Sequence, residues 1–213
     1  DTAVNAFLLK DAAGEFTLID CGCGAQYGDA AGQVKVHLAT LNVAPDSISR
    51  LIFTHLHDDH CGGALENGAR TFPNAQVFVH TDEAAFWQQI AHFSRDVLDA
   101  YADQTTLVRG GIEIAPGLIA VALPGHTAGH MGILVADEVL IFGDCVHSEA
   151  LQLPDTSVCS VHDKSPEDAI ASRNAVFARI ADENLVFSGG HILGTDKFAR
   201  LRRDARGYAK VPL

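Results

Sequence analysis

The sequence predicts one α/β domain over residues 1–213, and three observations carry that prediction. Short apolar runs bounded by Gly, Pro, Asn and Asp recur along the whole chain, as strands do. Between them lie segments with the apolar spacing of helices. No repeat, low-complexity run or linker divides the 213 residues, a length that buries one sizeable core but not two.

Taken in order, NAFLLKDAAGEFTLIDCG reads as two strands around an Ala-Gly turn, hence a hairpin. Residues 29–41 carry Val34, Val36, Leu38 and Leu41 among polar residues and predict a helix, which Pro45 and Asp46 break. SRLIFTHLH is an apolar strand ending in a histidine-rich motif, and QVFVH is another. The helix that follows begins at TDEAAFW, with Thr81 as its N-cap and Asp82 and Glu83 in the first turn. Residues 94–110 are weakly patterned, helical at first and then loop. GIEIAPGLIAVALPG and MGILVADEVLIFGD supply four more strands. SPEDAIASRNAVFARIA is the clearest helix: Ser165 caps it, Pro166 sits at its first position, and Ile170, Ala171, Val176, Phe177 and Ile180 form its apolar stripe. LVFSGGH is a last strand, and a final short helix is expected over roughly 195–205.

The hydrophobic content of 47% argues against disorder, and the net charge of −12 argues against a nucleic-acid partner, which needs a basic surface. No apolar run reaches the roughly 18 residues that would span a membrane. The chain starts at Asp1 without methionine and looks trimmed, so the compartment, cytoplasmic or exported, is left open. The five cysteines follow no disulfide-framework spacing and read mostly as free thiols.

The chemistry concentrates in THLHDDHCGG, residues 54–63. His55 and His57 lie two apart beyond a strand, so extended backbone can aim both imidazoles one way. Asp59 and His60 are adjacent and reach a common site only if the backbone turns, which Gly62 and Gly63 permit. The motif thus offers two donor pairs, each incomplete, since catalytic zinc takes about three protein ligands. PGHTAGH, FGDC and SGGH place His126, Asp144 and His191 after other strands. A carboxylate such as Asp144 can bridge two cations.

The set His55-x-His57-x-Asp59-His60, then His126, Asp144 and His191, resembles the metallo-β-lactamase superfamily nearly from end to end. The resemblance implies an αββα sandwich with a dinuclear site. It assigns His55, His57 and His126 to one metal, Asp59, His60 and His191 to the other, and Asp144 as the bridge. The ions it implies are two divalent cations, zinc first, with Fe, Mn or Co as alternatives. FPNAQVFVHTDEAAFW, GDCVHSEALQLPDTSV and GYAKVPL also look like the methyl parathion hydrolase branch and the related quorum-quenching lactonases. Those enzymes hydrolyse phosphotriesters, aryl esters or lactones, although the stretch from Trp87 to Gly110 is shorter here than in that branch. By the same resemblance Trp87 lines the substrate pocket. His147 stands where the lactonases carry a tyrosine, as a substrate contact or proton donor. A homodimer is implied by resemblance only.

Other residues have plainer expectations. Asp58 faces solvent or bonds the backbone, His130 orients His126 or its loop, and Cys61 and Cys145 are small buried filler. His37, His80, His92 and His162 are structural. The expected reaction is attack by a metal-bridging hydroxide on an ester, lactone or phosphotriester, with Asp59, Asp144 and His147 as the catalytic side chains. No GxSxG nucleophile motif competes with that reading. The alternatives are a glyoxalase II-like thioesterase, against which little chain follows His191, and a β-lactamase, whose B3 class lacks the acid at Asp144. An iron-dependent redox enzyme on the same ligands and a non-catalytic binding module are further readings. The partner in every enzymatic case is a small molecule, with no nucleic acid and no membrane.

Overall fold

Asp11 turns the first hairpin: its Oδ1 accepts the backbone N–H groups of Ala13 and Glu15 at 3.0 and 2.9 Å. The strands on either side, β1 (Phe7–Lys10) and β2 (Phe16–Ile19), pair antiparallel with Phe7 opposite Ile19, as the sequence predicts. The structure, a computed structural model, describes residues 2–28 and 31–213. They fall into two compact units, 4–108 and 109–213 joined by residues 2 and 3.

In the first unit α1 (Val34–Thr40) is shorter than the predicted helix, whose residues 29 and 30 lie outside the described ones. It buries Leu38 only. Then follow β3 (Ile48–Ile52), α2 (Asp58–Cys61), the two-residue strands β4 (Leu65–Glu66) and β5 (Ala69–Arg70), and β6 (Gln76–His80). Two helices, α3 (Thr81–Trp87) and α4 (Phe93–Ala100), precede β7 (Thr105–Val108). The sheet runs β1-β2-β3-β6-β7, parallel from β2 onward. Its core joins Leu18, Leu51, Phe53, Leu56, Val77, Val79 and Trp87.

Two expectations change here. The N-cap of α3 is His80, not Thr81: His80 stays extended and its Nδ1 accepts the N–H of Asp82 at 3.3 Å. Thr81 is already helical and spends its hydroxyl on the carbonyl of Val108. Residues 105–108 form an edge strand rather than loop. The run TTLV is short and half-exposed and carries little alternation, and the parallel ladder to β6 completes what its β-branched threonines and valine begin.

The second unit begins with β8 (Glu113–Ala115), β9 (Leu118–Ala122), β10 (Met131–Val135) and β11 (Val139–Ile141), the four predicted strands. The short α5 (Glu149–Gln152) and the long α6 (Pro166–Asp182) follow, then β12 (Val186–Ser188). The expected terminal helix is instead a hairpin, β13 (Ala199–Asp204) with β14 (Gly207–Pro212). Ala199 and Leu201 are buried while Arg202 is exposed, a period of two that fits a strand. The sheet runs β14-β13-β12-β11-β10-β9-β8. Its core gathers Leu140, Phe142, Val176, Phe177, Ile180 and Phe187.

Pro166 opens α6 as predicted, although Ser165 makes no side-chain cap bond and its hydroxyl goes to Asp168. The buried stripe contains Ala169, Arg173, Val176, Phe177 and Ile180; Ala171 faces out. Arg173 belongs inside because its guanidinium donates to the carbonyls of Cys145, Thr156 and Val158 at 2.7–2.9 Å. Among the described residues no helix is long and apolar enough to cross a membrane.

Candidate metal centre

In the 4–108 unit the strand β3 ends at Ile52 and releases the motif into a short turn. His57 remains extended and its carbonyl accepts the N–H groups of His60 and Cys61, so α2 starts there and swings Asp59 and His60 round. The glycines act through close approach rather than unusual dihedrals. A Cβ on Gly62 would lie 2.4 Å from the carbonyl oxygen of Cys23, and one on Gly63 2.1 Å from that of Cys21. The segment 21–23 thereby clamps the turn, and the N–H of Cys21 donates to the carbonyl of His60 at 2.8 Å. Both thiols of this Cys-x-Cys pair are buried, as packing requires.

The four donors form two pairs. His55 Nε2 and His57 Nδ1 are 3.0 Å apart, and His60 Nε2 lies 3.7 Å from Asp59 Oδ2. Behind them sits Asp20, buried and left-handed (φ 55°), at the end of β2. Its carboxylate accepts the N–H of Thr54 at 2.8 Å, the hydroxyl of Thr54 at 2.7 Å and Nδ1 of His60 at 2.8 Å. Since the Thr54 proton goes to Asp20, Nδ1 of His55 donates to the Thr54 oxygen at 3.1 Å. Both histidines therefore present Nε2 as a lone pair.

Asp58 is part-exposed, with Oδ1 3.6 Å from Nε2 of His92. Trp87 is buried, its N–H donates to Glu83 Oε1 at 2.7 Å, and its ring meets His57 edge-on at 5.8 Å. Glu83 also receives the N–H of Leu56. Within this unit the tryptophan thus supports the histidine loop from the core side.

In the other unit the strands run so that β9, β11 and β12 end at one edge of the sheet. Asp144 follows β11 and His191 follows β12; the two strands are parallel neighbours, and Asp144 Oδ2 lies 2.9 Å from His191 Nε2. His126 follows β9 through Gly125, whose φ of +132° and absence of Cβ let the loop press on α6; a Cβ there would lie 2.1 Å from the nitrogen of Ala169. His126 Nε2 is 3.5 Å and His147 Nε2 3.4 Å from the same oxygen of Asp144. His126, Asp144 and His147 form a group able to hold a metal ion.

The outer nitrogens are tied back. His126 Nδ1 faces Asp163 Oδ1 at 3.0 Å, and His191 Nδ1 faces the carbonyl of Ala3 at 2.6 Å. Burial works to raise the Asp163 carboxyl, but the His126 hydrogen bond and the N–H of Ser160 hold it below its ordinary value. Arg173 Nη2 stands 3.7 Å from its second oxygen. His130 orients the loop, as expected: Nδ1 pairs with the carbonyl of Leu123 at 2.8 Å and Nε2 accepts the N–H of Asp144 at 2.9 Å.

These contacts test whether a cation fits. A neutral imidazole that gives its Nδ1 proton to Asp163 or Ala3 turns a lone pair toward the Asp144 carboxylate. Two electron-rich atoms at 2.9 Å repel unless a proton or a cation lies between them. Two such lone pairs, from His126 and His191, aimed at one carboxylate oxygen make a donor set suited to zinc.

Asp20 and Asp163 escape the sequence reading. Asp20 carried a usable signal, because IDCG repeats the strand-acid-Cys pattern of FGDC. Asp163, inside VHDKSPED, carried none. The thiols of Cys61 and Cys145 are buried; burial pushes the Cys61 thiol far up and that of Cys145 to about 12, so both are inert filler.

A family model described as the metallo-beta-lactamase superfamily matches residues 1–191. An N-acyl homoserine lactonase of Bacillus thuringiensis is 25% identical over 168 residues, 77% of this chain and 64% of its own length. Uncharacterized protein YobT of Bacillus subtilis (strain 168) is 28% identical over 157 residues, 66% of this chain and 61% of its own. The chain thus spans less than two thirds of these relatives. Among solved structures, the hydrolase AbOPH of the beta lactamase superfamily superposes with a TM-score of 0.88 and 27% identity, covering 100% of this chain and 80% of that one. AidC, a dizinc quorum-quenching lactonase, superposes with a TM-score of 0.92 over the same shares at 22% identity, a likeness of fold.

Proposed function

The chain belongs to the metallo-β-lactamase superfamily and has its α/β fold, and from that premise we propose that it is a dinuclear metal-dependent hydrolase of lactones or related esters. The observation that carries the reading is the pair of imidazoles, His126 and His191, tethered through Nδ1 and turned through Nε2 onto one oxygen of Asp144. In the proposed assignment, taken from the superfamily's ligand pattern, His55, His57 and His126 hold one cation and Asp59, His60 and His191 the other. Asp144 serves both. Zinc is the first choice, with Fe, Mn or Co able to use the same donors.

Two such cations would supply Lewis acidity and a water whose pKa falls toward about 7. The chain's own groups do the rest. Asp20, Thr54, Asp163 and the Ala3 carbonyl hold the imidazoles in the tautomer that leaves Nε2 free. Asp59 takes and passes a proton. His147 is the side chain proposed to meet substrate, with Trp87 behind the His57 side of the site. Lactone opening adds one water across the ring C–O bond and releases a hydroxy carboxylate and a proton. The lactonase names among the relatives support the lactone as first substrate, with aryl esters and phosphotriesters next.

The test is proton release by zinc-loaded protein, with a metal-stripped control, against an acyl homoserine lactone, an aryl ester, a phosphotriester, a β-lactam and a glutathione thioester. A metal-dependent rate on the first three is expected. Turnover confined to the thioester or the β-lactam, or none at all from protein holding two ions, would overturn the proposal.

A further inference from the structure

His147 points an imidazole nitrogen at the Asp144 carboxylate, yet the superfamily pattern leaves it without a metal. Its position is nonetheless built. The N–H groups of His147 and Ser148 both donate to Oε1 of Gln152, at 2.7 and 2.9 Å, and Gln152 is buried with its own amide donating to the carbonyl of Val158. The backbone that carries the imidazole is therefore pinned from inside the fold. The ring packs against His126 at 4.8 Å and stacks on His191 at 5.1 Å between centroids. Its Nε2 stands 3.4 Å from Asp144 Oδ2, close to the 3.5 Å at which His126 stands from the same atom.

The two imidazoles differ at the outer nitrogen. His126 hands Nδ1 to Asp163, whereas Nδ1 of His147 is buried and makes no hydrogen bond among the described residues. With no partner at Nδ1, the ring makes its polar contacts through Nε2 alone. A neutral His147 that keeps its proton on Nδ1 would turn an Nε2 lone pair toward the carboxylate and beside a second imidazole, a metal donor arrangement. Two histidines and one carboxylate make a three-ligand set of the kind that catalytic zinc uses.

We propose that His147 is itself a metal ligand, binding through Nε2 the same divalent cation as His126 and Asp144. The inference rests on the hydrolase reading for the presence of the ion and goes beyond it by adding a donor, which gives the Nε2 of His147 to the metal in place of a direct substrate contact. A substrate atom that enters this side of the site must then compete with an imidazole, not only with water.

The experiment loads the metal-free full chain with zinc and with cobalt. It compares wild type with His147→Gln and His147→Phe by calorimetry, chelator competition and cobalt d–d absorption. Wild type is expected to take two ions, and both variants to lose at least tenfold in affinity at one of them, with a changed cobalt spectrum. Long-range nitrogen NMR of wild type needs no variant: Nε2 of His147 should shift on zinc addition together with Nε2 of His126. Unchanged affinities in the variants, or a His147 nitrogen that zinc leaves unmoved while that of His126 shifts, would overturn the inference alone. A wild type that takes no ion would overturn the hydrolase reading with it.

Discussion

His126 Nδ1 and Asp163 Oδ1 face each other at 3.0 Å, with the side chains 3% and 0% exposed. The carboxylate fixes the tautomer of a histidine 37 residues away, and Arg173 from α6 stands behind it.

Asp163→Asn keeps the shape and removes the charge that holds this tautomer. Zinc affinity at the ion bound by His126 should fall about 10- to 100-fold, the usual effect of losing a group behind a ligand. Titration calorimetry on the metal-free protein reads the change. An affinity within twofold of wild type would show that the carboxylate only packs.

On the other unit Asp20→Asn should act in the same way on His60. A single amide oxygen cannot accept from Thr54 N, Thr54 Oγ1 and His60 Nδ1 together, and its NH2 would oppose two donors. One ion should bind at least tenfold more weakly while the Asp163 variant weakens the other. Were the two variants to weaken the same ion, the assignment of His60 and His126 to different cations would be wrong.

Tyr101 offers a pH test away from any ligand. Its hydroxyl is buried, accepts the N–H of Phe72 and donates to the carbonyl of Ala64, both at 3.1 Å. Burial pushes the phenol up to about 12. A group raised in the folded state stabilises fully below its ordinary value near 10 and loses that contribution as the pH rises through 12. Urea midpoints of the metal-free protein should therefore fall between pH 10 and 12, and Tyr101→Phe should show a shallower fall. Parallel curves would place the alkaline loss elsewhere.

Thiol accessibility should follow burial. Cys21, Cys23, Cys61 and Cys145 are buried and Cys159 is partly exposed. Burial pushes the thiols of Cys21 and Cys61 far up and that of Cys145 to about 12. At pH 8 a thiol reagent should label one site in the native protein, found by mass spectrometry at Cys159, and the other four only on unfolding. Rapid native labelling of Cys61 or Cys145 would contradict their part as filler.

The donors were legible because each stands next to something local. His55, His57, Asp59 and His60 crowd into six positions, and His126, Asp144 and His191 each follow an apolar run. Thr105–Val108 was not legible, since a four-residue, half-exposed edge strand shows too little alternation until the ladder with β6 completes it. The segment 199–204 was read as a helix because its arginines mask a two-residue alternation that only the pairing with β14 reveals.

From the sequence alone come the α/β class, most of the strands, the long helix from Pro166 and the metal-type donor set, because strand burial, proline at a helix start and side-chain chemistry are local properties. Tertiary structure alone decides which nitrogen each histidine presents. For three of them that choice lies with partners 37 to 188 residues distant: Asp163 for His126, Asp20 for His60, and the Ala3 carbonyl for His191; for His55 it passes through the neighbouring Thr54 to the distant Asp20. A tautomer is set by the hydrogen bond at the opposite side of the ring, and no spacing along the chain encodes who will stand there.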